Sequence, residues 1–157
     1  MDFDFSEDQQ QLRDAVAKWV EKGNGFERRR EIVAAGGFSR EAYAELAELG
    51  LTGLSLSEDL GGLGMGPVEA MVVMEELGRG IVIEPLAQSI MAGLLLSHHA
   101  GADVQQAWAP RLASGDALMV LAHQERKAQA VHLLHQVLVV RPAHRELLDL
   151  VLSIWDR

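Results

Sequence analysis

The sequence predicts an all-α protein, an up-and-down bundle of about five or six helices followed by a short terminal strand-like run and an atypical helical tail. Three observations predict it. Hydrophobic residues make up 48% of the chain but aromatic residues only 5%, so the interior is aliphatic, built from Leu, Val, Ala and Met, a palette that favours helices over strands. Apolar residues recur three and four apart between capping residues, with Gly and Pro as punctuation. Finally, residues 67–79 and 85–99 each follow a helix-opening proline and are apolar around most of their circumference, the mark of a central helix.

Ser6 with Gln9 three residues on forms a capping box, opening a helix to about Lys22 with Leu12, Ala15, Val16, Trp19 and Val20 on one face. Asn24, between Gly23 and Gly25, ends it. A short amphipathic piece from Arg28 to Ala35 stops at Gly36-Gly37. Ser39 caps the next helix, whose stripe is Tyr43, Leu46, Ala47 and Leu49, and Gly50 is the expected left-handed stop. Leu51 to Ser57 alternates weakly and reads as extended or irregular. Gly61, Gly62 and Gly64 then make a turn in which the backbone, free of Cβ, can bend tightly and approach a neighbour closely. If Gly62 has a positive φ, Gly62→Val is destabilising.

Pro67 opens a helix in which Val68, Met71, Val72, Val73, Met74 and Leu77 are apolar, leaving Glu69, Glu75, Glu76 and Arg79 for water. Gly80 closes it. Glu84-Pro85 opens an equally apolar helix through Ile90, Met91, Leu94, Leu95 and Leu96 to about His99. Gly101 ends that one, Asp103 caps a helix through Trp108, and Pro110 begins its last turn before Ser114-Gly115. Ala117 to Ala122 is a β-like run.

The totals narrow the function classes. A chain of 157 residues reads as one domain with a sizeable core. A net charge of −9 argues against a general nucleic-acid binder, since phosphate affinity is carried by Lys and Arg. The local exception, Arg28-Arg29-Arg30, reads as a solvated helix face flanked by Glu27 and Glu31. Absence of cysteine removes disulfides and thiolate catalysis. The acidic, polar N-terminus is unlike a presequence and no apolar run reaches membrane-spanning length, so the expected location is the cytoplasm.

Composition changes after Glu125. Residues 1–125 hold 9 Lys+Arg and 20 Asp+Glu, a net of −11, whereas residues 126–157 hold 5 and 3, a net of +2, and all 15 glycines precede the change. The chain therefore divides into a helical domain, 1–125, and a tail, 126–157. Within the tail, Ala128 to Val140 is apolar with ambiguous period, and Pro142 to Trp155 reads as an amphipathic helix with Leu147, Leu148, Val151, Leu152 and Trp155 on one face. Two origins are open for the tail. It is a non-homologous ending produced by a frameshift, rearrangement or aberrant stop, or the genuine ending of a short protein whose last helix covers an otherwise exposed apolar surface.

Residues 57–64, SEDLGGLG, resemble the signature of Pro or Ser, two acids, an aromatic or aliphatic residue and Gly-Gly-x-Gly found near the N-terminus of flavin-dependent acyl-CoA dehydrogenases. The opening FDFSEDQQQLRDAVAKWV is similar to that family's first helix. FSREAYAELAELGLTGLSLSEDLGGLG is similar to its unit of helix, Gly-Leu and acidic turn, and RLASGDALMVLAHQE to its step into a middle β-domain. Any one of these motifs is weak alone; three in the expected order across 1–125 identify the family's N-terminal α-domain.

The resemblance implies a reaction. A carboxylate base removes the pro-R α-proton of an acyl-CoA thioester while FAD N5 accepts the β-hydride, leaving an enoyl-CoA. In the family the base is a glutamate of the C-terminal helical domain, and most flavin contacts come from the middle and last domains. The N-terminal domain walls the acyl-chain cavity and supports subunit packing. This chain is thus expected to carry no catalytic residue. Its flavin contacts, by resemblance, are confined to Ala122, Gln124 and Glu125. Gln124 stands where threonine is usual and Arg126 where proline is usual, a departure similar to the small-subunit, pimeloyl-CoA dehydrogenase type. FAD is implied by the family and is not expected to bind this chain alone, because a cofactor needs a shaped pocket and not one strand.

Two functions from different classes follow. One is a truncated acyl-CoA dehydrogenase-like protein, without the middle β-domain and the catalytic-base domain. The other is a non-catalytic binding or assembly subunit that pairs with a complete dehydrogenase chain. The expected partners are an acyl-CoA ligand and a second dehydrogenase chain in a homo- or hetero-oligomer.

Other candidate chemistry has a plainer reading. His98-His99 at a helix end suits a favourable dipole contact better than a metal, because adjacent helical residues point apart. His132 and His135 could share a helical face but lack a third ligand there. Glu58 and Asp59 resemble a paired acid and base, yet neighbouring carboxylates on a polar turn are more often solvated. Met65, Met71, Met74 and Met91 read as core filling, with acyl-chain contact open to those near the cavity.

Overall fold

The structure is a computed structural model that describes residues 4–123 and 135–140, with side chains described through residue 119. Its elements are α1 (Glu7–Gly23), α2 (Phe26–Ala34), α3 (Arg40–Glu48), α4 (Pro67–Arg79), α5 (Leu86–His99), α6 (Ala102–Ala113), β1 (Leu118–His123) and β2 (His135–Val140), with short 3-10 turns at Leu51–Gly53 and Glu58–Leu60. Apart from the strand pair, the regular structure described is helical, the all-α class expected.

Helix starts follow their caps. The Ser6 hydroxyl accepts from the Gln9 N–H and the Gln9 side chain accepts from the Ser6 N–H, closing the capping box of α1. Ser39 caps α3 through the Ala42 N–H. Pro67 is the first residue of α4, and the Glu69 carboxylate reaches back to the Gly66 N–H at 3.0 Å. The same carboxylate accepts from Gln9 Nε2 at 2.7 Å, so two helix starts share one set of bonds. At α6 the cap is Gly101, not Asp103, which lies in the first turn where its charge suits the dipole.

Two apolar cores divide the interior. Val16, Leu46, Leu51, Leu54, Val73 and Leu77 belong to the first, with Leu86 and Ile90 of α5. Leu56, Ala92, Leu96, Ala109, Leu112 and Met119 belong to the second. Residues 51–57 carry the change from one to the other, and of the two readings, extended or irregular, the structure has the irregular one. Leu51–Gly53 is a 3-10 turn contacted by α3, α5 and α6, and Leu51, Leu54 and Leu56 are completely buried. Weak alternation there is a by-product of tight turns whose leucines point into different cores.

Charged residues tie the helices together. Of the three arginines expected on a solvated face, only Arg30 behaves so, paired with Glu27 at 2.6 Å on the surface. Arg28 binds the Glu45 carboxylate through both terminal nitrogens, at 3.1 and 2.8 Å, and also the Gly23 carbonyl. Trp19 Nε1 donates to the same carboxylate, joining α1, α2 and α3 at one residue. Arg29 donates to the carbonyls of Asn24 and Gly80, and the buried Asn24 amide also donates to Gly80. Glu76, expected to face water, is buried between Arg13 and Arg79.

The bond to Arg28 holds the Glu45 carboxyl below its ordinary value, with Trp19 adding to it. The bond from Gln9, with backbone donors, does the same for Glu69. A carboxyl depressed in the folded state stabilises fully above its unfolded value, 4.5 here, and loses that contribution as pH falls through the folded value. Unfolding titrations are therefore expected to show stability falling below about pH 4.5, with Glu45→Gln reducing the steepness of that fall. An acid limb unchanged by Glu45→Gln would deny Glu45 this role.

At the end of the described body, β1 pairs antiparallel with β2, Leu118 opposite Val140 and His123 opposite His135. Ala128 to Val140 has no clear period in sequence, and the tail is expected to be helical overall. Its described part is instead a strand, in keeping with three β-branched residues, Val137, Val139 and Val140. His135 is consequently in a strand, while His132 and the helix expected from Pro142 lie outside the described residues. Among the described residues no helix is long and apolar enough to cross a membrane.

Candidate functional site

The glycine turn folds back along the buried stretch 53–57. Leu63 N–H donates to the Gly53 carbonyl, Gly64 N–H to Leu56 at 2.7 Å and Met65 N–H to Leu54 at 2.9 Å, while Gly62 N–H returns to Ser57. Positive φ occurs at Gly61 (84°) and Gly64 (60°) but not at Gly62, which corrects the expectation for that residue. Gly62 is needed for closeness instead: a Cβ there would lie 2.3 Å from both the Cβ and the carbonyl oxygen of Leu56.

Helix α5 is sewn to the other side of this stretch. Ser55 Oγ donates to the Ile90 carbonyl at 2.6 Å, and Ser97 Oγ accepts from the Ser57 N–H at 3.2 Å. Gly93 lets α5 come close, since a Cβ there would meet Ser55 Oγ at 3.1 Å. Tyr43, completely buried on α3, reaches α5 through a 2.7 Å hydrogen bond to Ser89.

Between the turn and α6 lies an open cleft of about 560 Å³, bordered by Asp59, Leu60, Gly61, Gln105, Pro110 and Ser114. Gln105 is already committed to the carbonyls of Leu96 and Ser97, and Ser114 to Asp116. The charge on the lining comes from Asp59, with no cation to meet the phosphates of a dinucleotide or of CoA. Arg111, near in sequence, stacks on Trp108 instead. The cleft does not fit a flavin nucleotide.

Of the residues expected to touch flavin, Ala122 occupies β1 opposite Gln136, and Gln124 and Glu125 lie outside the described residues. Glu58 and Asp59 are exposed on their 3-10 turn. His98 and His99 are exposed in the last turn of α5, and among the described residues no three potential ligands gather for a metal. Two features escaped sequence reading. Ile81, after α4, has a φ of 51° although β-branched, and is strongly exposed, so the left-handed residue ending α4 is not the glycine beside it. Glu84 is buried, its carboxylate oxygens having no hydrogen-bond partner among the described residues, and its charge helps keep Arg28 protonated after the larger effect of Glu45.

The methionines also depart from expectation. Met65 packs against the first core, but Met71, Met74 and Met91 are exposed, and among the described residues the buried methionine is Met119 in β1. Val68, Met71 and Met74 follow one another on the outer side of α4, and Met91 and Leu94 on that of α5. Helices that are apolar all round thus turn one face to the core and leave the other without an apolar partner in the described chain.

The sequence profile described as "Acyl-CoA dehydrogenase, N-terminal domain" matches residues 6–116. Acyl-CoA dehydrogenase FadE12 of Mycobacterium tuberculosis is 32% identical over 126 residues, which are 78% of this chain and 32% of that protein. (2S)-Methylsuccinyl-CoA dehydrogenase of Cereibacter sphaeroides is 33% identical over 123 residues, 73% of this chain and 21% of that one. Among solved structures, the ChsE4-ChsE5 complex from Mycobacterium tuberculosis superposes with a TM-score of 0.68 and 30% identity over 75% of this chain and 33% of that chain. The chain therefore spans about a third or less of the length of these relatives.

Proposed function

Since the chain belongs to the acyl-CoA dehydrogenase family, its match lying in that family's N-terminal domain, we propose that it supplies a helical apolar wall to an acyl-CoA desaturating centre whose base and flavin pocket are carried elsewhere. The observation that carries this reading is the pair of outward apolar faces, Val68, Met71 and Met74 on α4 and Met91 and Leu94 on α5. Large apolar side chains at such positions exclude water from a bound acyl chain or from a second protein surface. The cleft beside the glycine turn offers nothing to hold a diphosphate, so the cofactor's contacts are assigned to other protein segments.

A second reading makes the chain a non-catalytic assembly subunit for a complete acyl-CoA dehydrogenase chain. It is favoured by the likeness to a protein solved as a two-component complex, ChsE4-ChsE5, and by the departures at Gln124 and Arg126. One experiment addresses both. The chain purified alone is expected to lack flavin absorbance and to show no bleaching with acyl-CoA. Co-expressed with a complete dehydrogenase chain, it is expected to co-purify with a yellow complex that acyl-CoA bleaches. Bound, reducible flavin in the isolated chain would overturn the first reading, and failure to co-purify with that chain would remove the second.

A further inference from the structure

We propose that Met71 and Met74 of α4 and Met91 of α5 form an oxidative modification site, at which a hydroperoxide converts the thioethers to sulfoxides and makes the two outward apolar faces polar. The assignment deepens the proposed function, and its consequence for assembly rests on the reading of those faces as surfaces to be covered. Three observations support it.

The first is where the sulfur lies. The chain has six methionines and no cysteine, so methionine is its sole oxidisable sulfur. Met71, Met74 and Met91 are 55%, 38% and 45% exposed, and they are three of the five large apolar side chains exposed on α4 and α5. Leucine or valine would remove comparable area from water with nothing to oxidise. The core is built in that way: among the described residues its one buried methionine is Met119, 2% exposed.

The second is access. Met71 and Met74 stand three residues apart on α4, so their side chains are neighbours on one surface. Sulfur there meets an oxidant with the fold intact, whereas Met119 reacts only when β1 leaves the second core. A covered face shields the same atoms, so the chain is open to this chemistry before it assembles.

The third is the product. A sulfur lone pair attacks the protonated oxygen of the hydroperoxide, and the O–O bond breaks as the S–O bond forms. Sulfur loses two electrons, the proton passes to the departing oxygen, and the peroxide leaves as an alcohol or, from hydrogen peroxide, as water. A strong S–O dipole then occupies a place that an apolar contact needs, and covering it without a donor carries a desolvation cost. With no thiol in the chain, restoration falls to an external sulfoxide reductase.

Dilute hydrogen peroxide on the isolated chain, followed by peptide mass spectrometry, locates the added oxygen. Met71, Met74 and Met91 are expected to oxidise about tenfold or more faster than Met119. The oxidised chain is expected to elute earlier from a hydrophobic-interaction column and to bind a complete dehydrogenase chain about tenfold more weakly than before treatment. Both properties are expected to return on incubation with the two sulfoxide reductases and a dithiol. A chain carrying Met71→Leu, Met74→Leu and Met91→Leu, compared with itself before peroxide, is expected to show neither change. Oxidation of Met119 as fast as the other three would overturn the site. So would unaltered elution and binding once the three are oxidised, or the same losses in the substituted chain, which would place the effect at another residue. An untreated chain that fails to bind, while the oxidation pattern and the elution shift hold, removes the proposed function and leaves the site standing.

Discussion

Gly62→Ala is expected to destabilise the chain by roughly 3 kcal/mol, lowering the melting temperature by about 6–12 °C. The added Cβ would stand 2.3 Å from the Cβ and the carbonyl oxygen of Leu56, and neither belongs to a movable side-chain end. Relief requires shifting the 62–65 segment away from 53–57, which breaks the short bond from Gly64 N–H to the Leu56 carbonyl and its neighbours at Leu63 and Met65. Shortening Leu56 itself gives no relief, because alanine keeps the offending Cβ. Gly61→Ala is the control. That position has a φ of 84° with open space around it, so alanine there costs only the left-handed penalty of roughly 1–2 kcal/mol. Urea denaturation of the three proteins separates the cases, and a Gly62→Ala protein as stable as the unaltered chain would refute the close approach.

Tyr43→Ala is the side-chain truncation expected to cost most, roughly 3–5 kcal/mol. The ring is completely buried, stands 5.9 Å from the Phe38 ring, and carries its hydroxyl to Ser89 on α5. Truncation leaves a cavity between α3 and α5 and removes the direct bond between them. Tyr43→Phe keeps the ring and loses only the hydroxyl, while Ser89 retains its contact with the Pro85 carbonyl, so the expected cost is about 1 kcal/mol. If both substitutions cost the same in denaturation, the hydrogen bond and not ring packing would be the dominant contribution.

The parts of the fold legible in the sequence were those where one residue type has one physical use. Ser6, Ser39 and Pro67 open helices as their capping chemistry demands, and Gly50 adopts φ 78° past the end of α3. Partner-dependent features were not legible. Nothing local distinguishes Arg28, bound to Glu45 from a different helix, from Arg30, paired with Glu27 one turn away. Glu76 looks like Glu75 in sequence; Arg79 one turn on and Arg13 arriving from α1 together make its burial tolerable. The same limit applies to the site. Helical period shows that α4 and α5 are apolar all round, but not which face the cores take, so it does not distinguish the exposed Met71, Met74 and Met91 from interior residues. For the flavin contact the motif gave Ala122, whose strand the structure describes, and Gln124 and Glu125, which it does not.

The shared bonds at the starts of α1 and α4 bear on the order in which the chain assembles. Gln9 and Glu69 are 60 residues apart, and Arg13 and Glu75 are 62 apart, whereas the glycine turn is held by bonds between residues five to eleven apart. Closing a long loop costs more chain entropy before any contact repays it, although the cost grows only as the logarithm of length. The bonds of the turn can therefore form without α1, while Leu51 and Leu54 complete their core only when Val16 of α1 docks on them. In kinetic terms the first helix is a late clasp, and the segment that looks most like a loop is an early one.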